Sequence, residues 1–71
     1  MFRLRVEEVI RRQGKTVGWV ARKAELSYSV VRRMVKDPHY MPQARTLMQV
    51  ARALKCRVED LVEYFPDEED A

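Results

Sequence analysis

Three residues, Ala24-Glu25-Leu26, are all that separate two amphipathic helical patterns in the first half of this chain. Up to this turn Val20, Ala21 and Ala24 recur at helical spacing. After them Ser27 opens a segment that turns Val31, Met34 and Val35 inward. A connection this short makes two helices cross at a large angle, and Ala21 is small enough to let the backbones approach closely. The second helix must then project its outer face from the domain. That face carries Tyr28, Ser29, Arg32, Arg33 and Lys36, with Ser29 one turn from Arg33 and Arg32 one turn from Lys36. A projecting helix about 12 Å across fits the major groove of DNA.

Helical spacing continues nearly throughout. Leu4, Val6, Val9 and Ile10 fall near one face of a first helix that Gly14 ends, glycine being the usual residue where positive φ is needed. Thr16 caps the second helix and Ser27 the third. Pro38 and Pro42 interrupt the pattern in the loop KDPHYMPQ. Leu47, Val50, Ala51 and Leu54 make the stripe of a fourth helix. Val58, Leu61, Val62 and Phe65 make a short fifth, which Pro66 stops. No alternating run is long enough for a convincing strand. The expected fold is therefore all-α, a compact five-helix domain over residues 1–66 followed by an acidic, disordered tail, 67–71.

At 71 residues the chain holds one small core. The lone cysteine, Cys56, cannot form an internal disulfide, and no Cys/His cluster has metal-binding spacing, so neither a metal nor another cofactor is expected. That usage suits a reducing cytoplasm. Charges are scattered through MFRLRVEEVI, which makes it neither a signal peptide nor a membrane span. The net charge of +3 hides an asymmetry: residues 1–57 hold all 14 Lys and Arg with four acids, whereas residues 58–71 hold seven acids and no base. A basic body of this kind suits a polyanionic partner. No nucleophile–base pair, paired-carboxylate arrangement or phosphate-binding glycine loop is visible, so enzymatic activity is not expected, and no small-molecule ligand is evident.

The residues also resemble a known family. Lys15-Thr16, Val20-Ala21, Leu26-Ser27, Val31 and Pro42 fall where the lambda-repressor-like (XRE or Cro-type) helix-turn-helix regulators carry their signature. The block TLMQVARALKCRVEDLVEYF stays in register with that family's last helices. The resemblance covers about residues 3 to 65. It implies a lambda-repressor-like DNA-binding domain whose third helix, residues 27–36, enters the major groove. It implies base contacts from Tyr28, Ser29, Arg33 and Arg32, since arginine matches the guanine edge with two parallel hydrogen bonds. Phosphate contacts are expected from Thr16, Ser27, Lys36, His39, Tyr40 and Gln43. Val30 has two readings, a thymine-methyl contact or core.

Three positions depart from the family pattern. Glu25 stands where the turn glycine is usual, so either a strained left-handed turn or a differently shaped one is expected. Ile10 and Val35 stand where an Arg–Glu pair is common, so an ion pair has become an apolar contact, a change often neutral or stabilising. Val17, followed by Gly18, replaces a polar residue at the start of the second helix.

Two functional classes follow. One is a sequence-specific regulator of transcription, a repressor, acting as a homodimer with Tyr64 and Phe65 in its interface. The other is an antitoxin-like or other protein-interaction module with secondary DNA binding. The shortness of DEEDA after the last helix favours the first. Trp19 and Cys56 read as packing residues, and His39, without a catalytic partner, as a loop residue.

Overall fold

The computed structural model describes residues 1–66, and the expected acidic tail at 67–71 lies outside them. In chain order the elements are β1 (Phe2–Leu4), α1 (Val6–Arg12), α2 (Val17–Ala24), α3 (Tyr28–Lys36), α4 (Ala44–Ala53), a single 3-10 turn (Val58–Asp60) and β2 (Val62–Tyr64).

Helices α1, α2 and α4 end in the same way. A residue in left-handed conformation follows each: Gly14 at φ 67°, Glu25 at φ 58° and Lys55 at φ 53°. The next N–H reaches back to a carbonyl five residues earlier, Lys15 to Ile10 at 3.0 Å, Leu26 to Ala21 at 2.9 Å and Cys56 to Ala51 at 3.0 Å. This closes the last carbonyls of each helix in a Schellman motif. Only one of the three positions is a glycine. Glu25 thus adopts the turn geometry that glycine would ordinarily supply. Two glutamines tie these ends together: Gln13 Nε2 donates to the Leu54 carbonyl at 2.8 Å, and Gln49 Nε2 to the Ala24 carbonyl at 3.1 Å.

The expected fifth helix is not formed. Val58–Asp60 makes one 3-10 turn, held where the Asp60 carboxylate accepts from the Arg57 N–H at 2.9 Å, and the chain then straightens into β2. β2 pairs antiparallel with β1, placing Phe2 opposite Tyr64, Arg3 opposite Glu63 and Leu4 opposite Val62. Leu4 therefore lies in a strand, and the first helix begins at Val6. Among the described residues the architecture is four helices and a two-stranded sheet, not five helices. The pairing is physically favoured because Leu4 and Leu61 both reach the core, at 5% and 0% exposure, while Arg3 and Glu63 meet in a 2.9 Å ion pair on the wet face.

One hydrophobic core gathers Val6, Val9 and Ile10 of α1, Val20 and Ala21 of α2, and Val31 and Met34 of α3. From the other side come Leu47, Val50, Ala51 and Leu54, with Leu4 and Leu61 beneath the sheet. Ile10 is buried and Val35 half-buried, and the two line one shallow surface cavity with Val17 and Thr16. That is the placement expected of an apolar pair standing in for an ion pair. Cys56 is half-buried and free, and burial together with nearby Asp60 pushes its thiol up from the ordinary value. That disfavours the reactive thiolate. Among the described residues, no helix is long and apolar enough to cross a membrane.

Candidate nucleic-acid interface

The rotation of α3 about its axis is set by Val31 at 0% exposure and Met34 at 1%. Its start is set by Ser27, whose Oγ accepts from the Val30 N–H at 3.2 Å. Tyr28, Ser29, Arg32, Arg33 and Lys36 are consequently all exposed on the outer side. The structure brings these residues together on one face, which contains no acid from Ser27 to Lys36. Val30 is half-buried and packs on the core, which favours the core reading for that side chain.

The helices around α3 share an unusual charge pattern. Helix N-termini carry a partial positive charge and ordinarily attract acids to their first turn. α1 follows this rule with Glu7 and Glu8, and the 3-10 turn with Glu59 and Asp60. α2, α3 and α4 have no acid in their first turn. Three positive helix ends thus carry no acid in their own first turn, an arrangement suited to phosphate groups.

Thr16 caps α2, its Oγ1 accepting from the Trp19 N–H at 3.0 Å. Both cap hydroxyls, Thr16 and Ser27, act here as acceptors, so each keeps its own hydrogen to donate outward. Gln43 occupies the N-cap of α4 with no side-chain capping bond, which leaves its amide exposed and free. Tyr40 is half-buried, and the guanidinium of Arg33 lies 4.2 Å from its ring centroid. His39 is held from two sides: its N–H donates to Asp37 Oδ1 at 3.2 Å, and its Nδ1 sits 3.0 Å from the Phe2 carbonyl. A carbonyl cannot donate, so Nδ1 carries the proton in this contact, and Nε2 is the nitrogen left for a ligand. Tyr64 and Phe65 lie far along the chain at the end of the sheet, 67% and 40% exposed.

Two cations escaped the sequence reading. Arg45 sits exposed in the first turn of α4, where an acid would be ordinary. Lys15 directly precedes the α2 cap and holds its ammonium 4.4 Å from the half-buried Trp19 ring. The legible signal for both was a base beside a helix start with no acid near it.

Comparison with curated proteins finds no match for this chain. A family model described as a Cro/C1-type HTH DNA-binding domain matches residues 5–67, from the end of β1 through all four helices and β2. That range takes in the capped α2–turn–α3 unit and its basic outer face, and the chain belongs to the Cro/C1-type helix-turn-helix DNA-binding domain family.

Proposed function

We propose that this DNA-binding regulator is a sequence-specific repressor that places α3 in the major groove and works as a two-fold dimer. The observation that carries this reading is the outer face of α3, five exposed polar or basic side chains without an acid, rotated outward by a buried Val31 and Met34. Arg33 reads a guanine edge, with Ser29 and Tyr28 beside it and Arg32 next along the helix. Thr16, Ser27, Gln43 and Lys36, with Arg45, Lys15 and the Nε2 of His39, hold the phosphates on either side. Tyr40 acts through Arg33 by supporting its guanidinium. The bare N-termini of α2, α3 and α4 add their backbone N–H groups to the same task.

A dimer is needed because one recognition helix reads only a few base pairs, and a two-fold axis doubles that to a palindromic site. Binding of this kind represses by occupying a promoter. The test is selection of bound sequences from random duplex DNA. A palindromic consensus with a guanine that Arg33→Ala ceases to prefer is the expected outcome. Enrichment of no sequence would refute the reading.

A further inference from the structure

The chain carries ten arginines and four lysines. Three of those four lysines, Lys15, Lys23 and Lys55, line one surface cavity of about 300 Å³, and no arginine lines it. They come from separate places: Lys15 from the α1–α2 connection, Lys23 from the last turn of α2 and Lys55 from the left-handed position after α4. Trp19, the single tryptophan, lines the same cavity with Gln13 and Ala53. None of the three ammonium groups has a carboxylate within ion-pair distance among the described residues. No residue of α3 lines the cavity, so it is separate from the outer face of that helix.

Lysines at helix C-terminal ends are ordinary, since the dipole favours a cation there. That accounts for Lys23 and Lys55 singly, but not for Lys15 or for the half-buried indole that shares their cavity. Arginine's planar fork suits a carboxylate. An ammonium is a point charge with three rotatable donors, and several can gather on one phosphate. The indole adds what a bare anion site would not need. Trp19 packs on the core, and the Lys15 ammonium lies 4.4 Å from its ring centroid. A cation over a solvent-accessible ring is held weakly, and a base stacks on an aromatic more strongly. A flat ring can therefore take its place while the ammonium swings to a phosphate. Gln13 Nε2 donates to the Leu54 carbonyl at 2.8 Å, which leaves Oε1 to accept from the exocyclic amine of a base.

We propose that this cavity binds a free nucleotide, its base on Trp19 and its phosphate among Lys15, Lys23 and Lys55, and that the bound nucleotide opposes DNA binding. The opposition rests on the reading of Lys15 as a phosphate contact to DNA. Lys15 directly precedes the α2 cap, where the Trp19 N–H donates to Thr16 Oγ1 at 3.0 Å. A nucleotide that recruits Lys15 takes it from the DNA backbone, and each ligand then weakens the other by the same factor.

Because Trp19 is the only tryptophan, its fluorescence reports on this cavity without DNA present. Adenosine monophosphate titrated into the protein at low salt should quench it saturably. Inorganic phosphate and adenosine should each bind about tenfold more weakly, measured by calorimetry, because each lacks one half of the contacts. Lys23→Gln and Lys55→Gln, both at exposed positions, should each raise the dissociation constant about threefold. Both should keep the affinity for duplex DNA, which also shows that they fold. Phosphate that binds as well as the nucleotide reduces the site to an anion patch and overturns the proposal. So does a glutamate-rich peptide that quenches as strongly, which gives the surface to an acidic protein. A single-stranded oligodeoxyadenylate that binds far more tightly than the mononucleotide, or a matching loss of duplex affinity in the two lysine variants, gives it to nucleic acid and also overturns the proposal. The absence of both quenching and heat does the same. With the site saturated, duplex affinity measured by anisotropy should fall about fivefold. Quenching with duplex affinity unchanged overturns the opposition alone and leaves the nucleotide site standing.

Discussion

The guanidinium of Arg33 lies 4.2 Å from the ring centroid of Tyr40, so the central cation of α3 leans on the loop that follows the helix. A guanidinium stacked on a ring loses less freedom when it meets a ligand, and its N–H fork stays open at the edges. The contact links loop 37–43 to the outer face of α3. Arg33→Ala should cost about 1–3 kcal/mol on the preferred duplex and relax preference at one base-pair position. Lys36→Ala should instead weaken all sequences alike and lower the salt slope by about one unit. Tyr40→Leu should weaken the preferred site by less than Arg33→Ala and add little to it in the double variant, since both act through one guanidinium. Titrations on preferred and scrambled duplexes separate the three. A uniform loss for Arg33→Ala would make it a phosphate clamp and pass the reading role to Arg32 or Tyr28.

Affinity for duplex DNA should fall steeply with added salt. Fourteen bases against four acids in residues 1–57, together with the bare N-termini of α2, α3 and α4, imply several phosphate contacts. Each one displaces counterions. Fluorescence anisotropy from low to physiological salt measures the slope, and a flat line would contradict the phosphate reading.

Ile10 and Val35 should behave as a coupled apolar pair. Ile10→Arg brings a charge to a position only 6% exposed and should destabilise by about 3 kcal/mol in urea unfolding. Adding Val35→Glu should recover about 1 kcal/mol of this. A double variant no more stable than Ile10→Arg would show that the two positions are not coupled.

Glu25 and Lys55 hold left-handed backbone conformations that favour glycine, at φ 58° and 53°. Glu25→Gly and Lys55→Gly should each raise stability, by about 1 kcal/mol or less. Relief of a cost of about 1–2 kcal/mol is partly offset by the freer unfolded chain. Glu25→Ala and Lys55→Ala keep the Cβ and should bring no such gain. Thermal melts of the four single variants decide the matter.

The α2–turn–α3 unit was legible from the sequence because everything that specifies it is local. Thr16 and Ser27 cap their helices within one turn, Val31 and Met34 set the rotation of α3, and the turn geometry at Glu25 follows from its neighbours' backbone bonds. The set of residues on the outer face was readable for the same reason. The contacts that orient them were not. Arg33 meets Tyr40, and His39 meets Phe2, only because the path of the 37–43 loop brings distant segments together. The residues from Val58 to Phe65 show the limit most clearly. Their spacing, with Leu61 and Phe65 four apart, fits a helix, and three residues of alternation in Val62-Glu63-Tyr64 are too few to indicate a strand. A strand is stable only against a partner, and this partner is Phe2–Leu4, some sixty residues earlier. Leu61, just before the strand, still enters the core as helical spacing required, but Phe65, just after it, turns to solvent. Local capping and periodicity therefore decided the helices and the outer face of α3. The choice between helix and strand at the chain's end belonged to tertiary pairing, because its energy lies in hydrogen bonds and burial that no local segment contains.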